Sequence, residues 1–394
     1  MTTLARFAFP TTIHFGAGAS GQVGAHLAAL GKRRPLVVTD RVLAQLPVAK
    51  AFVAALRDAG LEPAVFDGVF GNPTVNQANA GGAAFAAHRA DCVVGFGGGA
   101  ALDVAKIVGV AGTQGHDMLE YVWDHPQVRP MPDDLPYFVA LPTTAGTGSE
   151  VGRSSVISED DTHVKRIVFS PKILAKAVFA DPLLTKDLPA PVTAATGMDA
   201  LTHNVESYLS PAYHPLCDGI AVEGVRIAAR ALPRAVRDGA DLEARSDMLM
   251  ASMMGAIAFQ KDLGAVHACA HALSTVADLH HGLANGIMID HVMRFNLAAA
   301  AGKLAELAHV ARVPGADAGS EEARAGAFVD WLGALKMQVG IPATLAGYRG
   351  ARPVTRADVP RLVEVASRDL CHQTNPRPCT PADFEALFAA ALQP

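Results

Sequence analysis

Four histidines, His267, His271, His280 and His281, crowd into the stretch GAVHACAHALSTVADLHHGLANG at residues 264–286. His267 and His271 are spaced i, i+4, so on a helix both rings leave the same face. His280 and His281 stand just before Gly282, past the end of the apolar run. Imidazole nitrogen is a common ligand for Fe, Zn or Ni, and such a cluster suits a metal site if another segment adds a donor. That donor set stands earlier, in ATGMDALTHNVESY, where Asp199 and His203 repeat the i, i+4 spacing on a strongly helical run. Asp199, His203, His267 and His281 together make one carboxylate and three imidazoles without a thiolate, a set for Fe(II) or Zn(II). Each histidine alone reads equally as an ordinary core or surface residue; the combination carries the argument.

Two glycine-rich turns suggest a second kind of chemistry. GFGGGAALDVAK, from Gly95 to Lys106, runs from a strand through Gly97, Gly98 and Gly99 into a helix. Such a turn offers unpaired backbone N–H groups at the positive end of a helix dipole, where a pyrophosphate docks. The spacing is neither that of a Walker loop nor that of GxGxxG. LPTTAGTGSEV, from Leu141 to Val151, interleaves Thr143, Thr144, Thr147 and Ser149 with Gly146 and Gly148, again after a strand. Two such loops at the carboxyl ends of strands in one sheet point to a dinucleotide crossing that edge. Asp40 ends an earlier strand; it can bind a ribose diol and favour NAD over NADP, or it can simply cap the following turn.

The elements that must position these groups follow from periodicity. The first hundred residues alternate short β-branched runs (RRPLVVTD, EPAVFDGV, DCVVGFGGG) with amphipathic ones, the pattern of a parallel sheet wrapped by helices. PYFVALPTT, RIVFS and KAVFAD add three strand candidates, and FAFPTTIHFG at residues 7–16 reads as a strand or hairpin. Beyond Pro182 Ala-rich amphipathic runs take over. Residues 1–188 are therefore expected to form an α/β domain with a Rossmann-like parallel sheet, and residues 189–394 an all-helical domain.

A length of 394 residues favours two domains. The net charge of −5, with Lys and Arg scattered, argues against nucleic acid or an anionic membrane. No window is long and apolar enough for a membrane span, and MTTLARFAFPTTIHFG lacks a signal-peptide core. The cysteines Cys92, Cys217, Cys269, Cys371 and Cys379 are odd in number and scattered, as in a reduced, cytoplasmic protein.

These motifs, in this order, resemble the iron-containing (group III) alcohol dehydrogenase family. The likeness covers essentially the whole chain: FGAG, VVTD, GGGAALDVAK, PTTAGTGSEV, FADPLLT, AATGMDALTH and DLCHQTNPR. The resemblance implies the dehydroquinate synthase-like architecture: a Rossmann-like amino-terminal domain, an all-helical metal-binding domain, and an active site in the cleft between. It makes Asp199, His203, His267 and His281 the ligands of Fe(II), with Zn(II) the other candidate. His271 becomes a non-ligating histidine near the nicotinamide. Gly97, Gly98, Gly99, Thr143, Thr144 and Thr147 fall on NAD-binding positions, Asp40 on the ribose, Asn72 near the adenosine half, and Asp103 with Lys106 on the helix after the glycines. A homo-oligomer, with the dimer as minimal unit, is also implied.

Departures from the family pattern are Ala100 where Ser is usual, Ala272 and His280 where Pro is usual, and His372 in the last motif. His280, His372 and AFQKDLGAVH are similar to the 4-hydroxybutyrate dehydrogenase branch. That similarity implies an ω-hydroxy acid substrate, with His280, His372, Arg153 or Lys261 facing its carboxylate. The expected chemistry is hydride transfer between nicotinamide and a primary alcohol, with His271 relaying the alcohol proton. Competing expectations are metal-free enoate reduction of the maleylacetate reductase type, a dehydroquinate synthase-like lyase, and a non-catalytic nucleotide sensor.

Overall fold

The computed structural model describes residues 9, 11–162, 164–348 and 352–393; residues 7, 8 and 10 of the first strand candidate lie outside them. The chain divides into two units, residues 9–144 with 148–186, and residues 187–393 with 145–147. In the first unit, short runs rich in Val, Leu and Phe form strands β1 (Thr12–Phe15), β2 (Pro35–Asp40), β3 (Ala64–Val69), β4 (Cys92–Gly97) and β5 (Tyr137–Pro142). Strands β6 (Ser154–Ser158), β7 (Lys165–Phe169) and β8 (Ala177–Ala180) follow. Helices α1 (Val23–Ala29), α2 (Pro47–Asp58), α3 (Val75–His88) and α4 (Gly99–Gln114) lie between the early strands.

Six strands form one sheet in the order β1-β8-β5-β4-β2-β3, every pair parallel. All carboxyl ends therefore share one edge. β4 is buried along its whole length, as expected for a central parallel strand covered on both faces. Val37, Val94, Phe96, Val139, Leu141 and Phe179 fill the core beneath α1 and α2. β7 does not join this sheet; it pairs antiparallel with β6 in a separate hairpin.

The second unit consists, among the described residues, of helices and turns: α5 (Ala190–Leu209), α6 (Pro215–Arg237), α7 (Leu242–Ala258), α8 (Ala265–Ala277) and α9 (His281–Val310), then α10 (Glu321–Gln338), α11 (Val359–Arg368) and α12 (Pro381–Ala391). α5 is buried without a break from Thr193 to Leu209 despite its polar residues. Those residues find partners: Thr202 donates to the Met198 carbonyl (2.7 Å), and Asn204 to the Ala200 and Ala251 carbonyls (2.8 and 2.9 Å). Among the described residues no helix is long and apolar enough to cross a membrane.

Candidate functional site

α5 carries Asp199 and His203 one turn apart, α8 carries His267, and α9 begins at His281. Each of the four offers a donor atom, and these atoms all lie within 4.8 Å of one another. α9 reaches α5 so closely because its second residue is glycine; a Cβ on Gly282 would stand 2.4 Å from the Ala195 carbonyl oxygen. Nε2 of His281 and of His267 lie 3.4 and 3.8 Å from Asp199 Oδ1, and the His203 and His267 rings are 4.6 Å apart. Burial first, then the neighbouring His267 and His271, pushes the His203 imidazole down to about 4, against the pull of Asp199 and the Gly146 backbone. At neutral pH that ring is uncharged and keeps a lone pair for a metal. Its Nδ1 is buried and has no hydrogen-bond partner among the described residues. Imidazole nitrogens around a buried carboxylate fit a divalent ion.

Three residues that the sequence reading did not single out complete this arrangement. Glu206, on the α5 face of Asp199 and His203 at i+7 and i+3, accepts from His267 Nδ1 at 2.6 Å. It also accepts the backbone N–H groups of Val266 (2.7 Å) and His267 (3.3 Å), so it caps the start of α8. With its proton fixed on Nδ1, His267 presents the Nε2 lone pair to Asp199 and His281. Gly264 lets Glu206 approach, since a Cβ there would meet Oε1 at 2.6 Å. Asn285, one turn after His281, donates its amide to Asp199 Oδ1 (2.6 Å) and lies 3.2 Å from Nε2 of both His267 and His281. The i, i+4, i+7 stripe on α5 and the i, i+4 relation to His281 were the available signals for Glu206 and Asn285.

The third is Asp369, whose Oδ2 accepts from His271 Nδ1 at 2.7 Å. Burial alone would raise this carboxyl, but the His271 ring and the Cys371 N–H together hold it well below the ordinary carboxylate range. His271 is not among the four converging donors; its ring stacks on His281 at 5.1 Å. Asn375, from the same final motif, accepts from the Ala265 N–H and so also caps α8.

In the first unit, Thr143 and Thr144, Gly97 to Gly99, Asp40 and Asn72 follow the carboxyl ends of β5, β4, β2 and β3, four neighbouring strands. Thr143 N–H donates to the Gly97 carbonyl (3.0 Å). A Cβ on Gly97 would stand 2.7 Å from Ala101 Cβ, too close for a side chain without a shift, and one on Gly98 would be tight at 3.2 Å from Thr144 Oγ1. α4 starts at Gly99 with no side-chain cap on its first amides, the arrangement that accepts an anion. Asp40 Oδ1 accepts from Val42 (3.0 Å) and Leu43 (2.8 Å), so it caps the turn. Its Oδ2 faces Gly97.

Some expected roles change. Both Asp103 oxygens are engaged inside the protein, accepting from Ser149 Oγ (2.6 Å), Lys106 Nζ (3.2 Å) and the Val156 N–H (3.1 Å), so Asp103 holds the threonine-rich loop and β6 rather than offering a free carboxylate. Lys106 is buried and also donates to the Ser154 carbonyl. Thr147 lies in the short stretch that groups with the helical unit. Lys261 is no free cation for a substrate carboxylate; its buried Nζ pairs with Asp218. His280 is the N-cap of α9, accepting from Leu283 N–H, and His372 bonds the Ser367 carbonyl and packs edge-on against Phe384. The Arg153 guanidinium lies over Phe169 in the hairpin.

Residues 10–182 match the iron-containing alcohol dehydrogenase family, and residues 193–392 match its carboxyl-terminal domain. The chain belongs to the iron-containing alcohol dehydrogenase family. It is an alcohol oxidoreductase. It is 36% identical to a 1,3-propanediol dehydrogenase of Klebsiella pneumoniae over 391 residues, covering 97% of each chain. It is 34% identical to a 4-hydroxybutyrate dehydrogenase of Cupriavidus necator, covering 97% of this chain and 98% of that one. Its fold superposes on a crystal structure of 1,3-propanediol oxidoreductase with a TM-score of 0.93, at 36% identity, over 99% of this chain and all of the other. Membership implies an iron-type metal and a nicotinamide cofactor, in keeping with the donor set.

Proposed function

We propose that this enzyme interconverts a small primary alcohol and its aldehyde with NAD, on a divalent ion held by Asp199, His203, His267 and His281. The observation that carries the reading is the convergence of one buried carboxylate and three imidazoles, with Glu206 and Asn285 fixing their orientation. When bound, the ion supplies Lewis acidity to the alcohol or aldehyde oxygen and NAD supplies the hydride acceptor. Glu206 keeps the His267 proton on Nδ1 and the Asn285 amide pins Asp199, so the donors are set before binding. His271 takes the alcohol proton at Nε2, because Asp369 already engages its Nδ1. Gly97, Gly98, Gly99, Thr143 and Thr144 hold the pyrophosphate, and Asp40 Oδ2 the ribose diol. Asp103 and Lys106 act through the loop they brace, and Asn72 and Thr147 flank the cofactor.

Fe(II) is the working ion in this reading, and Zn(II) competes for the same donors. The substrate class is a short diol or ω-hydroxy acid, by likeness to the propanediol and hydroxybutyrate relatives. Five free cysteines support a reduced, cytoplasmic setting, and the family supports a homo-oligomer built on a dimer. Steady-state kinetics of Fe(II)-loaded enzyme with NAD, against simple alcohols, 1,3-diols and ω-hydroxy acids, tests it. NADH formation with a diol or hydroxy acid is expected; none with any member overturns the reading.

A further inference from the structure

His271, Asp369 and Cys371 form a second convergent group, with one nitrogen, one oxygen and one sulfur donor all within 4.8 Å of one another. We propose that this triad is a second metal site, taking one soft divalent cation such as Zn(II) or Cd(II). Three features favour it. The set contains a sulfur donor, which the four-residue group lacks, so the two sites sort ions by softness. Two of its donors are partly open to solvent, His271 and Asp369 being 21% and 17% exposed. The third is order: Asp369 accepts from His271 Nδ1 (2.7 Å) and from the Cys371 N–H (2.9 Å), which fixes both donors around one carboxylate.

Burial, and then the Asp369 charge, keep Cys371 as a thiol in the absence of an ion. Binding balances simply. The Cys371 thiol releases one proton to solvent as sulfur takes the ion, and the His271 proton leaves Nδ1 and ends on Nε2. Asp369 exchanges its hydrogen bonds for the cation. An Nε2 that carries a proton no longer accepts one from an alcohol, so occupancy inhibits oxidation. That consequence rests on the relay role proposed for His271; the site itself does not.

The test is a Cd(II) titration of the Fe(II)-loaded enzyme, following the ultraviolet thiolate-to-cadmium charge-transfer band, retained iron and the rate of NADH formation together. The expected result is one Cd(II) per chain with the band, iron retained, and a parallel loss of rate of at least about tenfold. Cys371→Ser should lose the band and the inhibition while keeping iron content and basal rate. In the wild-type protein, Cd(II) should slow alkylation of Cys371, read by mass spectrometry. No thiolate band, the same band in Cys371→Ser, or unprotected alkylation of Cys371 overturns the proposal. A band that depends on Cys371 with an unchanged rate upholds the site and removes the relay role of His271.

Discussion

The two candidate sites use opposite strategies. In the helical unit the functional atoms are side-chain atoms on three buried helices, and the residues that hold them are side chains too: Glu206 on His267, Asn285 on Asp199, Asp369 on His271. At the carboxyl edge of the sheet the candidate donors are backbone amides. The conspicuous side chains there, Asp103, Lys106 and one oxygen of Asp40, are spent on shaping loops. The first site should therefore fail when a donor atom is deleted, and the second when a methyl group is added.

The largest effect should come from Asp199→Ala. Loss of the only carboxylate among the four donors should abolish iron retention and cut turnover by about a thousandfold, because Lewis-acid stabilisation is worth several kcal/mol. Elemental analysis with kinetics measures both, and a variant that kept its iron would break the contrast. Next is Gly97→Ala, whose methyl would stand 2.7 Å from Ala101. NAD binding should weaken by about 10- to 100-fold, since a displacement of this size spoils pyrophosphate docking. Iron content should not change; a joint loss would show that the two sites are not separable in this way.

Glu206→Gln probes the orienting layer. Gln keeps the size but offers only one acceptor atom, so iron affinity should fall about 10- to 100-fold with the fold intact. Chelator competition measures this, and unchanged affinity would reduce Glu206 to a helix cap.

The smallest effect concerns the loop-shaping side. Burial pushes Glu150 up to about 7, against the lowering effects of its own backbone N–H and Lys106. A value raised above the ordinary 4.5 means that protonated Glu150 stabilises the folded chain below about pH 4.5. That contribution, at most about 3 kcal/mol, is lost as pH rises through 7. Glu150→Gln should therefore melt at a less pH-dependent temperature than the wild type between pH 4.5 and 7, as calorimetry would show. Parallel curves would contradict it.

The same contrast explains what could be read from the sequence. Asp199 and His203 were legible as a donor pair because i, i+4 spacing puts them on one helix face, whichever tertiary contacts follow; the same spacing paired His267 with His271, which is not among the four converging donors. Asp369 was not, because it meets His271 across 98 residues of chain. Buried parallel strands such as VVTD and CVVGFG announce themselves by continuous β-branched and aromatic content. β6, the short SSVIS at residues 154–158, carries too few apolar residues to stand out, and with it went the hairpin assignment of β7. Asp40 was legible as a polar group at a strand end, and Asp103 through the family resemblance. Whether such a group caps a loop or faces a ligand depends on distances that spacing does not contain.

The central claim is that Asp199, His203, His267 and His281 hold one catalytic divalent ion. An anaerobic Fe(II) titration of metal-depleted enzyme, read as NAD reduction with 1,3-propanediol or 4-hydroxybutyrate, tests it most directly. The account predicts activity that rises from near zero and saturates at one iron per chain. Full activity in the metal-depleted protein would contradict it.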